Sequence, residues 1–123
     1  MATIADRVLD EGLSVLDLEA NAVHINSQEA TTYAEATSTH TLGNSTSVTI
    51  SAPADRSGGG RKVTMSAISD GSVTATGTAT HYAIVDTVNS RLLVTGSLTA
   101  SQAVTSGNTF SLEALDVGIP DPS

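Results

Sequence analysis

Residues 72–86 read SVTATGTATHYAIVD, with threonine at 74, 76, 78 and 80 and Val73, Ala75, Gly77, Ala79, His81, Ala83 and Val85 between and beyond them. Strict alternation belongs to a β-strand, whose successive side chains point to opposite faces. One continuous strand is therefore expected here, and with it a β fold. A face made of Thr74, Thr76, Thr78 and Thr80 has three possible uses. It suits an exposed sheet surface, where β-branched residues fit the pleat and hydroxyl pairs form across strands. It also suits a surface packed against another subunit, because interface cores are depleted in charge. An ice-binding ladder would need the motif on several strands, and it occurs on one.

Similar patterns flank this segment. SVTISA (47–52) offers Val48, Ile50 and Ala52 to one face, and KVTMSAI (62–68) offers Val63, Met65 and Ala67. RLLVTGSL (91–98) aligns Leu92, Val94, Gly96 and Leu98. TFSLEALDVGI (109–119) presents Phe110, Leu112 and Ala114, then Leu115, Val117 and Ile119, a change of face that predicts a β-bulge near Ala114 and Leu115. PADRSGGGR (53–61) reads as a hairpin tip and SDG (69–71) as a turn, while Pro120 and Pro122 end the sheet. Five or six strands at short spacing predict a mainly β fold, an antiparallel β-sandwich or small barrel. Val48, Ile50, Val63, Met65, Val73, Val85, Leu92, Val94, Phe110 and Leu112 are its expected core.

The N-terminal end has a different period. Ile4, Val8, Leu9, Leu13 and Leu16 fall near helical spacing, with Thr3 as a cap and Asp6 in the first turn, which predicts an α-helix over about residues 4–19. Gly12 weakens that helix by roughly 1 kcal/mol relative to Ala, and Leu13, Val15 and Leu18 also fit the start of a strand. The organisation expected is an N-terminal helical segment, 1–21, joined to a β-sandwich domain, 22–123, as one compact unit. VHIN (23–26) is a short strand. Residues 27–45 show no period, and so long a loop is functional or conceals further structure.

Composition narrows the function. The chain has 123 residues, of which 34 are Ser or Thr, only 15% are charged and only Tyr33, Tyr82 and Phe110 are aromatic. Aromatic rings usually dominate core burial, so a thin core of small side chains is expected, stabilised in part by packing against other copies or partners. Mean hydropathy of +0.07 and clean alternation do not fit disorder. The net charge of −8 argues against nucleic acid, which needs a basic footprint, and against anionic membranes. With no cysteine there are no disulfides and no thiol chemistry. No stretch has the apolar core of a secretion signal or the length of a membrane span, so synthesis in the cytoplasm is expected.

No chemical motif stands out. His24, His40 and His81 match no ligand spacing, and hydroxyls abound without a paired base, so no catalytic residue, metal or cofactor is assigned. His81, between Ala79 and Ala83, is either a hydrogen-bonded residue of the sheet or a subunit contact. Acidic residues crowd positions 1–35, where Asp10 and Glu11 mark a solvated helix face or a docking surface for a basic partner. RSGGGRK (56–62), with Arg61 and Lys62, is a mobile tip or a basic finger that seats on the acidic end of a neighbouring copy. The candidate interface is thus Asp10, Glu11, Arg61, Lys62, Thr74, Thr76, Thr78, Thr80 and His81.

The stretches TTYAEATSTHTLGNSTSVTISAPAD, RKVTMSAISDGSVTATGTATHYAIVD and LTASQAVTSGNTFSLEALDVGIPDP resemble a family of small proteins encoded among the virion genes of tailed bacteriophages and related prophages. The likeness runs over roughly residues 22–122 and includes TGTATHYAIVD and VTSGNTF. VHINSQEA departs from the family in having no cysteine, and DTVNSRLL in having a longer turn. The resemblance implies a virion structural protein in capsid decoration, collar or neck, or tail or fibre attachment, contacting capsid, portal or tail proteins, and the aromatic-poor core with its charge-poor surface adds the expectation of a homo-oligomer. It supplies no site residues. The alternative is a host-surface glycan-binding module on the virion, with residues 27–45 as the reader.

Overall fold

The computed structural model describes residues 6–119, with the side chains of residues 6–9 and Thr99 left aside. The cap at Thr3, the start of the helix at Ile4 and the proline stop after Ile119 lie outside the described residues. The fold is mainly β, with antiparallel sheets and one N-terminal helix, α1 (Asp6–Glu19). Nine strands follow: β1 (Ala22–Asn26), β2 (Thr41–Ser45), β3 (Ala54–Asp55), β4 (Arg61–Met65), β5 (Ile68–Val73), β6 (Gly77–Asp86), β7 (Arg91–Val104), β8 (Thr109–Leu112) and β9 (Leu115–Ile119). Six form one sheet in the order β7-β6-β1-β2-β5-β8, and three form a second, β3-β4-β9. Neither sheet closes, so the open sandwich is the form adopted and the small barrel is not.

The core lies between the sheets. Val23, Ile25, Ile68, Val73, Ile84, Phe110 and Leu112 of the larger sheet meet Met65 of the smaller one. Leu13 and Leu16 of α1 bury beside Val63, with Val94, Val117 and Ile119 packed around them. Helix and sheets therefore share one interior. Of the ten residues expected in the core, six are buried and Val48, Ile50, Leu92 and Val94 pack against it half-buried.

Aromatic rings occur where glycine leaves room. Gly71 stands opposite Phe110 across β5 and β8, and a Cβ at Gly71 would lie inside the ring. Gly96 stands opposite Tyr82 across β6 and β7, where a Cβ would come within 2.7 Å of the Tyr82 hydroxyl. Small residues on one strand thus seat the two large rings that the sheet contains.

Several local expectations change. The threonine stretch is not one strand: β5 ends at Val73 and β6 begins at Gly77, so Thr74 and Thr76 lie in a connector. The backbone N–H groups of Thr74 and Ala75 both donate to the Leu42 carbonyl, 2.8 and 3.1 Å away, and this crossing ends the alternation. SDG is not a turn but part of β5, where the register shifts between Ile68 and Gly71. SVTISA is no regular strand. It touches β4 through an Ile50–Met65 bridge flanked by Ser51 N–H to Thr64 O and Ser66 N–H to Thr49 O, both 2.9 Å. Residues 109–119 form two strands in different sheets, so the change of face marks a passage between sheets rather than a bulge.

Candidate interaction surfaces

The 27–45 segment conceals structure. Its last five residues are β2, paired on both sides inside the larger sheet, and Glu35–Thr39 forms a π-helical turn. Ala30 and Ala36 are fully buried against Ala22, Ala83 and Val85, with Tyr33 and Leu92 packed alongside. Asn26 Nδ2 donates to Ala36 O at 3.0 Å, and Ser27 N–H to His40 O at 2.9 Å, which fasten the segment to the sheet. Tyr33 is half-buried in that contact, and Tyr82 lies half-buried against the main core. Neither ring is fully exposed.

The predicted interface residues are dispersed. Arg61 Nε donates to Asp10 Oδ1 at 2.8 Å and Nη2 to Asp10 Oδ2 at 3.3 Å, while Nη1 reaches Asp55 Oδ1 at 2.5 Å. One acid of the helix, Asp10, and one cation of the hairpin, Arg61, thus pair within one chain. Lys62 Nζ meets Asp116 Oδ2 at 3.2 Å, and Thr64 Oγ1 donates to Asp116 Oδ1 at 2.7 Å. The Thr64 hydroxyl and then Lys62 hold the Asp116 carboxyl below its usual range. Only Glu11, of the charged candidates, lies exposed with no ion pair among the described residues.

The threonines are put to local use. Thr76 Oγ1 accepts from Ser106 N–H at 3.0 Å, and Thr74 O accepts from the Ser106 hydroxyl at 3.4 Å. Thr78 is exposed. The Thr80 hydroxyl donates to Ser27 O at 2.9 Å and sits 2.8 Å from His81 Nδ1. Because its one proton is used on Ser27, it accepts from Nδ1–H, which fixes that tautomer. His81 is half-exposed at the sheet surface.

Sequence reasoning gave no role to three features. The first is His24, 8% exposed and 2.8 Å from Thr41 Oγ1, whose imidazole burial holds below its ordinary pKa. The second is Asp86, buried at the end of β6, where it accepts from Val88 N–H, Asn89 N–H and Asn89 Nδ2. Asn89 chiefly holds the Asp86 carboxyl below its usual range. An aspartate opening the turn in DTVN was its visible signal.

The third is a groove of about 480 Å³ between the ends of the larger sheet. Ala67, Ile68, Leu98, Ala100, Leu112 and Leu115 give it apolar walls. It arises from β7. His81 pairs with Ser97 and Ala79 with Gln102, so residues 98–101 leave the ladder. Gln102 Nε2 then reaches Ser111 O on β8 at 2.9 Å, a side-chain bridge between edges that no backbone ladder joins.

Among the described residues no cluster of three or more His, Asp or Glu is arranged to hold a metal ion, and no helix is long and apolar enough to cross a membrane. Comparison with known proteins gives no match to a protein-family model, a curated protein or a solved structure.

Proposed function

We propose that this chain is a structural protein of a tailed-bacteriophage virion, acting by subunit packing in the head, neck or tail. The observation that carries the reading is the pair of open sheet edges. β7 and β8 each have one strand neighbour among the described residues, and an apolar groove runs between them. Unpaired edges invite pairing with another chain unless covered, and repeated packing on a particle covers them. The hydroxyl-rich surface and the resemblance of residues 22–122 to a family of virion proteins support the same reading. The glycan-binding alternative draws less support, because the segment meant to read the sugar is fastened to the sheet.

The test is the mass of the purified protein in solution, followed by sedimentation with particles that lack it. Assembly into a homo-oligomer or uptake by such particles is expected. A protein that stays monomeric at high concentration and ignores the particles overturns the proposal. Thr76→Lys with Thr78→Lys then locates the contact: loss of assembly in a folded variant puts it at the threonine surface, and normal assembly moves it to the β7 and β8 edges.

A further inference from the structure

Three large hydrophobic side chains stand exposed among the described residues: Val15, Leu18 at 82% and Val88 at 81%. Single exposed hydrophobics are ordinary, but a group of them marks an interaction site. Val15 and Leu18 are three residues apart and share the outer side of α1, away from buried Leu13 and Leu16. Val88 belongs to the turn between β6 and β7. The chain ties these two places together. Glu19 Oε1 accepts from Arg91 Nη1 at 3.1 Å, Asn21 N–H donates to Val85 O at 3.1 Å, and Asn21 Oδ1 accepts from Thr87 N–H at 2.9 Å.

The turn itself is held firmly. The Asp86 carboxylate accepts from Val88 N–H at 3.0 Å, Asn89 N–H at 3.3 Å and Asn89 Nδ2 at 2.8 Å, and Ser90 takes the left-handed backbone with φ 55°. A turn that merely joins two strands favours Gly, Asn, Asp or Ser at its tip. Here hydrogen bonds to the buried Asp86 carboxylate hold a valine out into water. The display is therefore rigid, and an incoming partner loses little entropy ordering it.

Charge selects the partner. Exposed Glu11 and Asp17 flank the apolar stripe on α1, while Arg91, the one cation at this corner among the described side chains, is matched by Glu19. A second copy of a chain with net charge −8 would bring the same carboxylates together. We infer that this corner, Val15, Leu18 and Val88 rimmed by Glu11 and Asp17, is a docking surface for a basic amphipathic segment of a different polypeptide. Its aliphatic side chains pack on Leu18 and Val88, and its Lys or Arg side chains meet Asp17 and Glu11. The inference does not depend on the virion reading.

The test titrates the full chain with an amphipathic Leu/Lys helical peptide, and with a Leu/Glu peptide of the same pattern, while methyl resonances are followed by NMR. The Leu/Lys peptide is expected to shift the methyls of Val15, Leu18 and Val88 and to bind at least tenfold more tightly than its Leu/Glu counterpart. Leu18→Ser with Val88→Ser should weaken binding at least tenfold at an unchanged melting temperature, since both residues are exposed, and Asp17→Asn should weaken it less. Shifts centred elsewhere, equal binding of the two peptides, or wild-type affinity in the double variant overturn the inference. Concentration-dependent dimerisation lost in the double variant also overturns it, by placing a second copy on the surface. Failure of the protein to join particles changes none of these readings.

Discussion

Arg61 holds Asp10 through two hydrogen bonds, of 2.8 and 3.3 Å, across 51 positions of sequence, with the Arg61 side chain only 16% exposed. The bond pins α1 to the first residue of β4, beside the contact of Leu13 and Leu16 with Val63. It turns two residues expected to meet a neighbouring copy into an internal clamp. Arg61→Met should lower stability by about 1–3 kcal/mol, the range for a charge-assisted hydrogen bond removed from a partly buried site. Asp10→Asn should cost less than Arg61→Met, because Arg61 then keeps its bond to Asp55. Denaturant melts of the three proteins measure it, and an unchanged midpoint in Arg61→Met contradicts the clamp.

The helix face offers a contrast between neighbours. Leu13→Ala should cost about 2–4 kcal/mol, because the side chain is fully buried against Val63. Leu18→Ala should change stability by under about 0.5 kcal/mol, its side chain standing in water. Gly12→Ala should stabilise by roughly 0.5–1 kcal/mol, since a Cβ there meets only Ile119 Cδ1 at an ordinary 3.6 Å. Equal effects at Leu13 and Leu18 in the same unfolding assay would mean that the helix does not dock by this face.

Gly71 and Phe110 make a second coupled pair. Gly71→Ala pushes a methyl group into the Phe110 ring and should cost about 1–3 kcal/mol through overpacking. Added to Phe110→Leu, the same substitution should cost less than it does alone. A double-mutant cycle reads the coupling, and strict additivity would show that the ring does not lie over the glycine.

Acid should weaken the fold in two stages. Burial keeps His24 below its ordinary 6.5, so as pH falls through that value the unfolded chain takes up a proton before the folded one does, and stability drops. Asp86 and Asp116 lie below their ordinary 3.8. Their contribution is present above that pH and is lost as pH falls through it towards their folded values. Melting temperatures should therefore decline first below about pH 6.5 and again below about pH 4. His24→Gln should remove the first decline and keep the second. A variant that retains both declines would exclude His24 as the source of the first.

What the sequence alone determined follows from local periodicity. Alternation at 77–86, 91–97 and 109–112 and helical spacing at Leu13 and Leu16 decided which of these segments are strands and which is helix, but not all that buries, since Ile84 and Asp86 are buried against the alternation of β6. Tertiary structure decided the rest, because long-range pairing overrides a local pattern. Thr74 continues the alternation of its neighbours, yet its N–H binds the Leu42 carbonyl, and the strand breaks there. Thr41, Leu42 and Gly43 show no strand period, yet β2 lies between β1 and β5, where backbone pairing on both sides holds it extended. The groove and the Leu18–Val88 corner were invisible for the same reason. Each joins segments far apart in the chain, through Gln102 and Ser111 in one case and Asn21 and Thr87 in the other, and no pattern within either segment specifies its partner.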